Sequence, residues 1–241
     1  PLFHANAWSM PYCAPMVGAK LVLPGNRNDA ASLYQLLEQE QVTFAVGVPT
    51  IWTMLLAWTQ EQGKRLTTLQ RCIIGGTALP AAVLRALKER HGVTAMHLWG
   101  MTETSPIGTV NILRPKHLAL DAAAQLVVKA KQGPPMFGVD LRLVDDEGRE
   151  VPRDGVASGH LQIHGPWVAS GYFKRDADES HRDGWFATGD IATIDPDGYM
   201  QITDRSKDVI KSGGEWISSI DIENAAMSHP AVAQAAAFGV A

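Results

Sequence analysis

The stretch from Arg71 to Leu98, RCIIGGTALPAAVLRALKERHGVTAMHL, decides the fold. Arg71 to Ile74 is a short apolar run stopped by Gly75-Gly76, which reads as a buried strand. Pro80 opens a helix with Val83, Leu84 and Leu87 on one face, and Gly92 stands at its C-cap. Val93 to Leu98 is the next strand. Working outward, Phe44 to Val48 reads as an earlier strand, with Pro49 in the first turn of a helix whose inward face would be Ile51, Met54, Leu55 and Trp58. Asp29 caps a helix carrying Leu33, Leu36 and Leu37, and Lys20 to Leu23 is a further apolar run before it. This alternation predicts an α/β fold with a mostly parallel sheet layer covered by helices. Ligands in such sheets sit beyond the carboxyl ends of the strands, which puts Gly75-Gly76 and Trp99 to Glu103 on the functional rim.

The pattern changes near Gly133. Val139 to Val144, Gly159 to Ile163, Ile191 to Ile194 and Tyr199 to Ile202 are short runs separated by turn sequences such as Asp195-Pro196-Asp197-Gly198. They predict a small antiparallel, β-barrel-like subdomain. A third regime begins at Asp204, with a polar loop, a helix from about Ser219 to Ser228 and a final apolar run, the start of an α+β domain. The expected division is 1–132, 133–203 and 204–241, with 114–132 left unplaced.

The chain has 241 residues, 46% hydrophobic and 19% charged, with a net charge of −4. No basic block points to nucleic acid, and no apolar run is long enough to span a membrane, which leaves peripheral membrane contact open. Cys13 and Cys72 lie in apolar stretches without metal-ligand spacing. They read as two buried reduced thiols, which fits a cytoplasmic protein. A homodimer is left open. The first residues read as the middle of a longer protein.

Three segments carry chemistry. Trp99-Gly100-Met101-Thr102-Glu103-Thr104 sets a ring, a bare backbone, a hydroxyl and a carboxylate together, the types a nucleotide and its Mg²⁺ need, although a helix cap is the plainer reading. Asp190, in Ala187-Thr188-Gly189-Asp190, can accept the two hydroxyls of a ribose or simply sit in a turn. Asp204 to Glu215 surrounds Val209-Ile210 and Gly213-Gly214 with charges, as a solvated loop or as a mobile, cation-carrying hinge.

Taken together with Phe3-His4-Ala5-Asn6-Ala7-Trp8, Gly75 to Pro80, Gly165-Pro166-Trp167-Val168, Gly171-Tyr172-Phe173, Trp185 to Asp190 and Gly198 to Ser219, these segments resemble the adenylate-forming superfamily. That superfamily includes acyl-CoA synthetases, luciferase-like enzymes and peptide-synthetase adenylation domains. The resemblance spans nearly the whole chain and is greatest to medium- and long-chain fatty-acyl-CoA and methylmercaptopropionate-CoA ligases.

It implies that a carboxylic acid is adenylated by ATP and passed to coenzyme A. It implies that Glu103 binds Mg²⁺ and Thr102 the α-phosphate. Trp99 would stack on adenine, with Gly75, Gly76, Thr77 and Gly100 beside the nucleotide and His97 as a polar adenine contact. Asp190 and Arg205 would hold the ribose, and Lys207 would be the hinge of a rotating C-terminal domain. Lys211, Gly213, Gly214 and Glu215 would belong to its swinging loop. His4 would face the substrate carboxylate, and Trp8 would line the acyl tunnel with Val48, Pro49 and Met101.

The superfamily's Ser/Thr/Gly-rich phosphate loop and its C-terminal catalytic lysine have no match here, so these 241 residues alone are expected to be inactive. Another adenylating enzyme, such as a fatty-acyl-AMP ligase or a peptide-synthetase domain, and a non-catalytic nucleotide-binding module are the competing readings.

Overall fold

The structure, a computed structural model, describes residues 2–174, 180–212, 215–227, 229, 231–232 and 235–239. Two compact units divide at Gly133 and Pro134.

The first unit begins with a single turn, α1 (Ala5–Trp8), and a short helix, α2 (Met10–Met16). Residues 5–9 all have positive φ, a left-handed winding that costs L-residues about 1–2 kcal/mol each. Next come α3 (Ala30–Gln39), β1 (Phe44–Gly47), α4 (Pro49–Glu61), β2 (Arg71–Gly75), α5 (Ala81–His91), β3 (Thr94–Trp99) and β4 (Thr109–Val110). The sheet order is β1-β2-β3-β4. The first three strands are parallel, and β4 folds back antiparallel on β3. Lys20 to Leu23 joins no strand, so among the described residues the parallel layer has three strands.

The caps fall where the sequence puts them. The Asp29 carboxylate accepts the Ser32 N–H at 2.9 Å, and Gly92 ends α5 in the left-handed conformation. The core joins Leu55, Leu56, Leu66, Leu69, Ile74, Leu84 and Leu87 between sheet and helices. In α4 the buried stripe is Trp52, Leu55, Leu56 and Thr59, one residue round from the expected face; Ile51, Met54 and Trp58 flank it. The helix is apolar most of the way round, so its period does not fix its centre. Cys72 is buried, its thiol pushed up to about 12 by desolvation, whereas Cys13 is exposed, contrary to expectation; both are free.

The unplaced segment forms α6 (Pro115–Leu118) and α7 (Ala122–Ala130). The last carbonyls of a helix lack intrahelical partners. At the end of α7 they meet buried side chains from the sheet. Asn111 Nδ2 donates to Val128 O at 2.7 Å and Lys131 O at 2.8 Å, Thr109 Oγ1 donates to Gln132 O at 2.9 Å, and His97 Nδ1 lies 2.9 Å from Ala130 O.

Burial lowers the pKa of His97, with bonds to the backbone of Ala130, Thr77 and Lys131 opposing it. Burial also lowers that of His91, reinforced by Arg90 and Arg65. Above the unfolded value of about 6.5 both histidines are neutral in either state, and stability is at its full value. As pH falls below it, the unfolded chain takes up protons that the folded chain refuses. Stability should then fall by at most about 1.4 kcal/mol per pH unit for each histidine, until the folded pKa is reached. Urea unfolding at pH 7.5 and 5.5 checks this, and His97→Gln should shrink the difference; an equal difference in both proteins would refute it.

The second unit contains β5 (Asp140–Val144), β6 (Gly159–His164), β7 (His181–Arg182), β8 (Trp185–Ile194) and β9 (Met200–Arg205), all antiparallel. β8 has β6 along one edge, with β7 and then β9 along the other. The sheet is open and does not close into a barrel among the described residues. Leu141, Leu143, Leu161, Ile163, Phe186, Ile191, Ile194, Tyr199 and Met200 are buried. The Asp195 carboxylate accepts the N–H groups of Asp197 and Tyr199 at 2.9 Å, making the β8–β9 turn. A hairpin of β10 (Ile210–Ser212) and β11 (Glu215–Ile217) precedes α8 (Ser219–Met227). No strand forms within 235–239, and no helix among the described residues is long and apolar enough to cross a membrane.

Candidate active-site rim

Parallel strands end together, so the residues that follow β1, β2 and β3 form one rim. Val48 follows β1, Gly75 ends β2 with Gly76-Thr77 after it, and Trp99 ends β3 with Gly100 to Glu103 after it. Gly76 has φ +96°, and a Cβ added there would lie 3.3 Å from Val48 Cγ1, so these two candidates are neighbours. Pro49 is buried in the first turn of α4, whereas Val48 is partly open at 38% exposure.

Two glycines are needed by the chain's own packing. A Cβ on Gly75 would stand 2.7 Å from Leu98 O, and one on Gly100 would stand 1.8 Å from Pro106 O. Gly100 therefore admits its own chain at close range, rather than only a ligand. The loop it begins makes a 3-10 turn over Thr102–Thr104. Thr102 is exposed, Glu103 and Met101 are half-buried, and Thr104 is fully buried. Thr104 Oγ1 lies 2.9 Å from the Met101 N–H, 3.0 Å from Met101 O and 2.7 Å from Pro106 O.

His97 and Trp99, read as adenine contacts, are 1% and 7% exposed, so neither offers an open ring face here. His97 instead meets the backbone at the end of α7 and at Thr77. It shares a buried polar seam with Thr109 and Asn111. His4 is exposed before the α1 turn, and Trp8 is half-buried within it.

In the second unit Asp190 and Arg205 are opposed across β8 and β9, with Arg205 Nη1 2.6 Å from Asp190 Oδ1. Asp190 is 1% exposed, so its carboxylate is turned onto the arginine rather than open to a ribose. The Thr188 hydroxyl accepts the Asp190 N–H at 3.1 Å and donates to Leu161 O at 3.0 Å, which fixes this turn. Lys207 is exposed in a turn where Arg205 O accepts the N–H groups of Asp208 and Val209 at 2.9 Å. Lys211 and Glu215 lie on the β10–β11 hairpin, and Gly213 and Gly214 fall outside the described residues.

Two positions escaped the sequence reading. Thr104, next to Glu103, is buried by the loop's return, which its sequence neighbours do not signal. Asp204 is 1% exposed, and its carboxylate accepts the Arg205 N–H at 2.8 Å, the Ser219 N–H at 2.7 Å and the Ser219 hydroxyl at 3.1 Å. It caps α8 from the far side of the Lys207 turn, a link between residues too distant in sequence for a local signal.

Comparison with known proteins extends the likeness over the whole chain. A 3-methylmercaptopropionyl-CoA ligase of Ruegeria lacuscaerulensis is 50% identical over 240 residues, covering 100% of this chain and 44% of that protein. A medium-chain-fatty-acid–CoA ligase of Ectopseudomonas oleovorans is 48% identical, over 98% of this chain and 43% of its own length. The chain thus spans less than half the length of these curated relatives. The solved O-succinylbenzoate coenzyme A synthetase of Bacillus subtilis, in complex with ATP and magnesium ion, superposes with a TM-score of 0.81 at 28% identity, covering 100% of this chain and 47% of that one. The model of one family, the AMP-binding enzymes, matches residues 1–173, through the whole parallel rim and into the antiparallel unit, and this chain belongs to that family.

Proposed function

We propose that the protein to which this chain belongs is an ATP-dependent acid–CoA ligase. It joins a carboxylic acid to AMP with release of pyrophosphate, then passes the acyl group to coenzyme A. The observation that carries this reading is the rim of the parallel sheet. There an exposed Thr102 and a half-buried Glu103 stand beyond β3, beside the open Gly76-Thr77 end of β2. The similarity to two CoA ligases supports the second half-reaction.

A carboxylate is a weak electrophile, and adenylation makes it a good one. Attack on the α-phosphorus builds negative charge on phosphate oxygens, and fixed donors facing that charge lower the barrier. Thr102 donates its hydroxyl to the α-phosphate. Glu103 suits Mg²⁺, which takes one or two carboxylates and completes its shell with phosphates and water. A magnesium ion held by Glu103 would neutralise phosphate charge there.

Arg205, with its half-exposed side chain, faces the ribose, and the buried Asp190 carboxylate holds the guanidinium in place for it. His4 orients the acid, and Trp8, Val48 and Met101 line its path. We take Lys207 as the pivot about which 204–241, the start of a C-terminal domain, turns between half-reactions to bring Lys211, Gly213, Gly214 and Glu215 to the thioester step. A cytoplasmic location completes the reading.

The test is AMP formation by the protein expressed from its whole reading frame, with ATP, Mg²⁺ and coenzyme A, across acids of three to eighteen carbons. AMP and acyl-CoA appearing in equal amounts are expected. Pyrophosphate and acyl-AMP without acyl-CoA would point to a carrier-dependent enzyme, and formation of neither pyrophosphate nor AMP with any acid would refute the proposal.

A further inference from the structure

The loop after β3 returns on itself within a few residues. Its two ends meet at one side chain. Thr104 is fully buried, so it touches neither solvent nor a ligand at the rim. Its Oγ1 accepts the Met101 N–H at 2.9 Å and donates its single proton into a pair of carbonyls, Pro106 O at 2.7 Å and Met101 O at 3.0 Å. The same Pro106 carbonyl crosses over Gly100 so closely that a Cβ there would overlap it. One hydroxyl therefore joins the way into the turn to the way out, and the residues held between are Thr102 and Glu103.

We infer that Thr104 is a positioning residue: its buried hydroxyl fixes the turn that presents Thr102 and Glu103 to the nucleotide phosphates and their Mg²⁺. This rests on the ligase reading above. Short polar turns hold a side chain to the tolerance that metal and phosphate contacts require only when their own polar groups are satisfied. Thr104→Val keeps the shape and removes the hydroxyl. It leaves the Met101 N–H and the Pro106 carbonyl without that partner in a buried place, and the turn must open to reach water.

The experiment uses the full-length protein with Thr104→Val and Thr104→Ser. Rates are measured against Mg²⁺ and against acid, and Mg²⁺-dependent ATP binding is measured by calorimetry. Loss of an outer-shell partner of a metal ligand typically weakens metal affinity or activity about 10–100-fold. Thr104→Val is expected to raise half-saturating Mg²⁺ by about tenfold or more and to weaken ATP binding in parallel, leaving the acid KM near the parent's. Thr104→Ser, which keeps the hydroxyl, should stay within about threefold of the parent. Faster hydrogen exchange over residues 101–106 in the valine variant should accompany the change. If valine does not fold, Thr104→Ala leaves space for a water and carries the same expected direction.

Parent-like Mg²⁺ dependence in the valine or alanine variant would overturn the inference. So would a serine variant as damaged as valine, since methyl packing would then be the cause. An active parent with unaffected variants refutes this role alone. A parent that makes no AMP refutes the ligase reading and this role with it.

Discussion

Gly100→Ala is expected to destabilise the first unit by about 3 kcal/mol, the upper part of the range for forcing an extra carbon into a packed site. The new Cβ would stand 1.8 Å from Pro106 O, 2.8 Å from the Pro106 carbonyl carbon and 3.0 Å from Ile107 Cα. All three are backbone atoms, so no side chain can rotate aside. Either β3 or the returning strand end must shift, and both are tied: β4 pairs Val110 with Leu98 and Thr109 with Trp99, and the Gly108 N–H donates to Trp99 O at 3.0 Å. Gly171 is the control, since an added Cβ there meets nothing within 4 Å and its φ is not positive. Urea unfolding followed by circular dichroism should show a large loss for Gly100→Ala and none for Gly171→Ala. A Gly100→Ala protein as stable as its parent would mean that the loop is not held as described.

Glu103→Gln is expected to lower acid-dependent AMP formation by the full-length protein about 10²–10³-fold, the loss seen when one element of transition-state charge stabilisation is removed. Glutamine keeps the size and one oxygen but loses the charge that draws Mg²⁺. Glu103 is half-buried in a loop, outside the core cluster, so folding stability should change by less than about 1 kcal/mol. The pairing of a large activity loss with a small stability change separates chemistry from scaffolding. Raising Mg²⁺ should recover part of the rate. A Glu103→Gln enzyme within about threefold of the parent would remove this residue from the site.

Local chemistry made much of the first unit legible. Glycine pairs, prolines and caps punctuate β2, α5 and β3, and each signal acts within a few residues of itself. The Asp29 cap and the Gly92 C-cap are of this kind. Where the reading slipped, the deciding interaction was distant. The bond between His97 and Ala130 O spans 33 residues, so no local pattern announces it. The centre of α4 moved to Trp52 and Thr59 because an apolar helix takes its orientation from the sheet it meets. Asp190 and Arg205 could be named separately, but only the ladder between β8 and β9 shows the acid closed onto the base. Thr104 sat in view beside Glu103, yet its burial is a property of the returning loop.

The turn carrying Lys207 is fastened on both sides. Asp204, before it, holds the first amide and the hydroxyl of α8, and the Ser218 hydroxyl donates to Thr203 O next to that bond. A loose linker lets its two ends drift through a continuum of angles; a fastened one has a rest position. On the proposed rotation about Lys207, α8 would leave β9 only when a buried carboxylate gives up its donors together. The joint then works as a detent. How often it swings is set by the release of its catch, not by the softness of the turn.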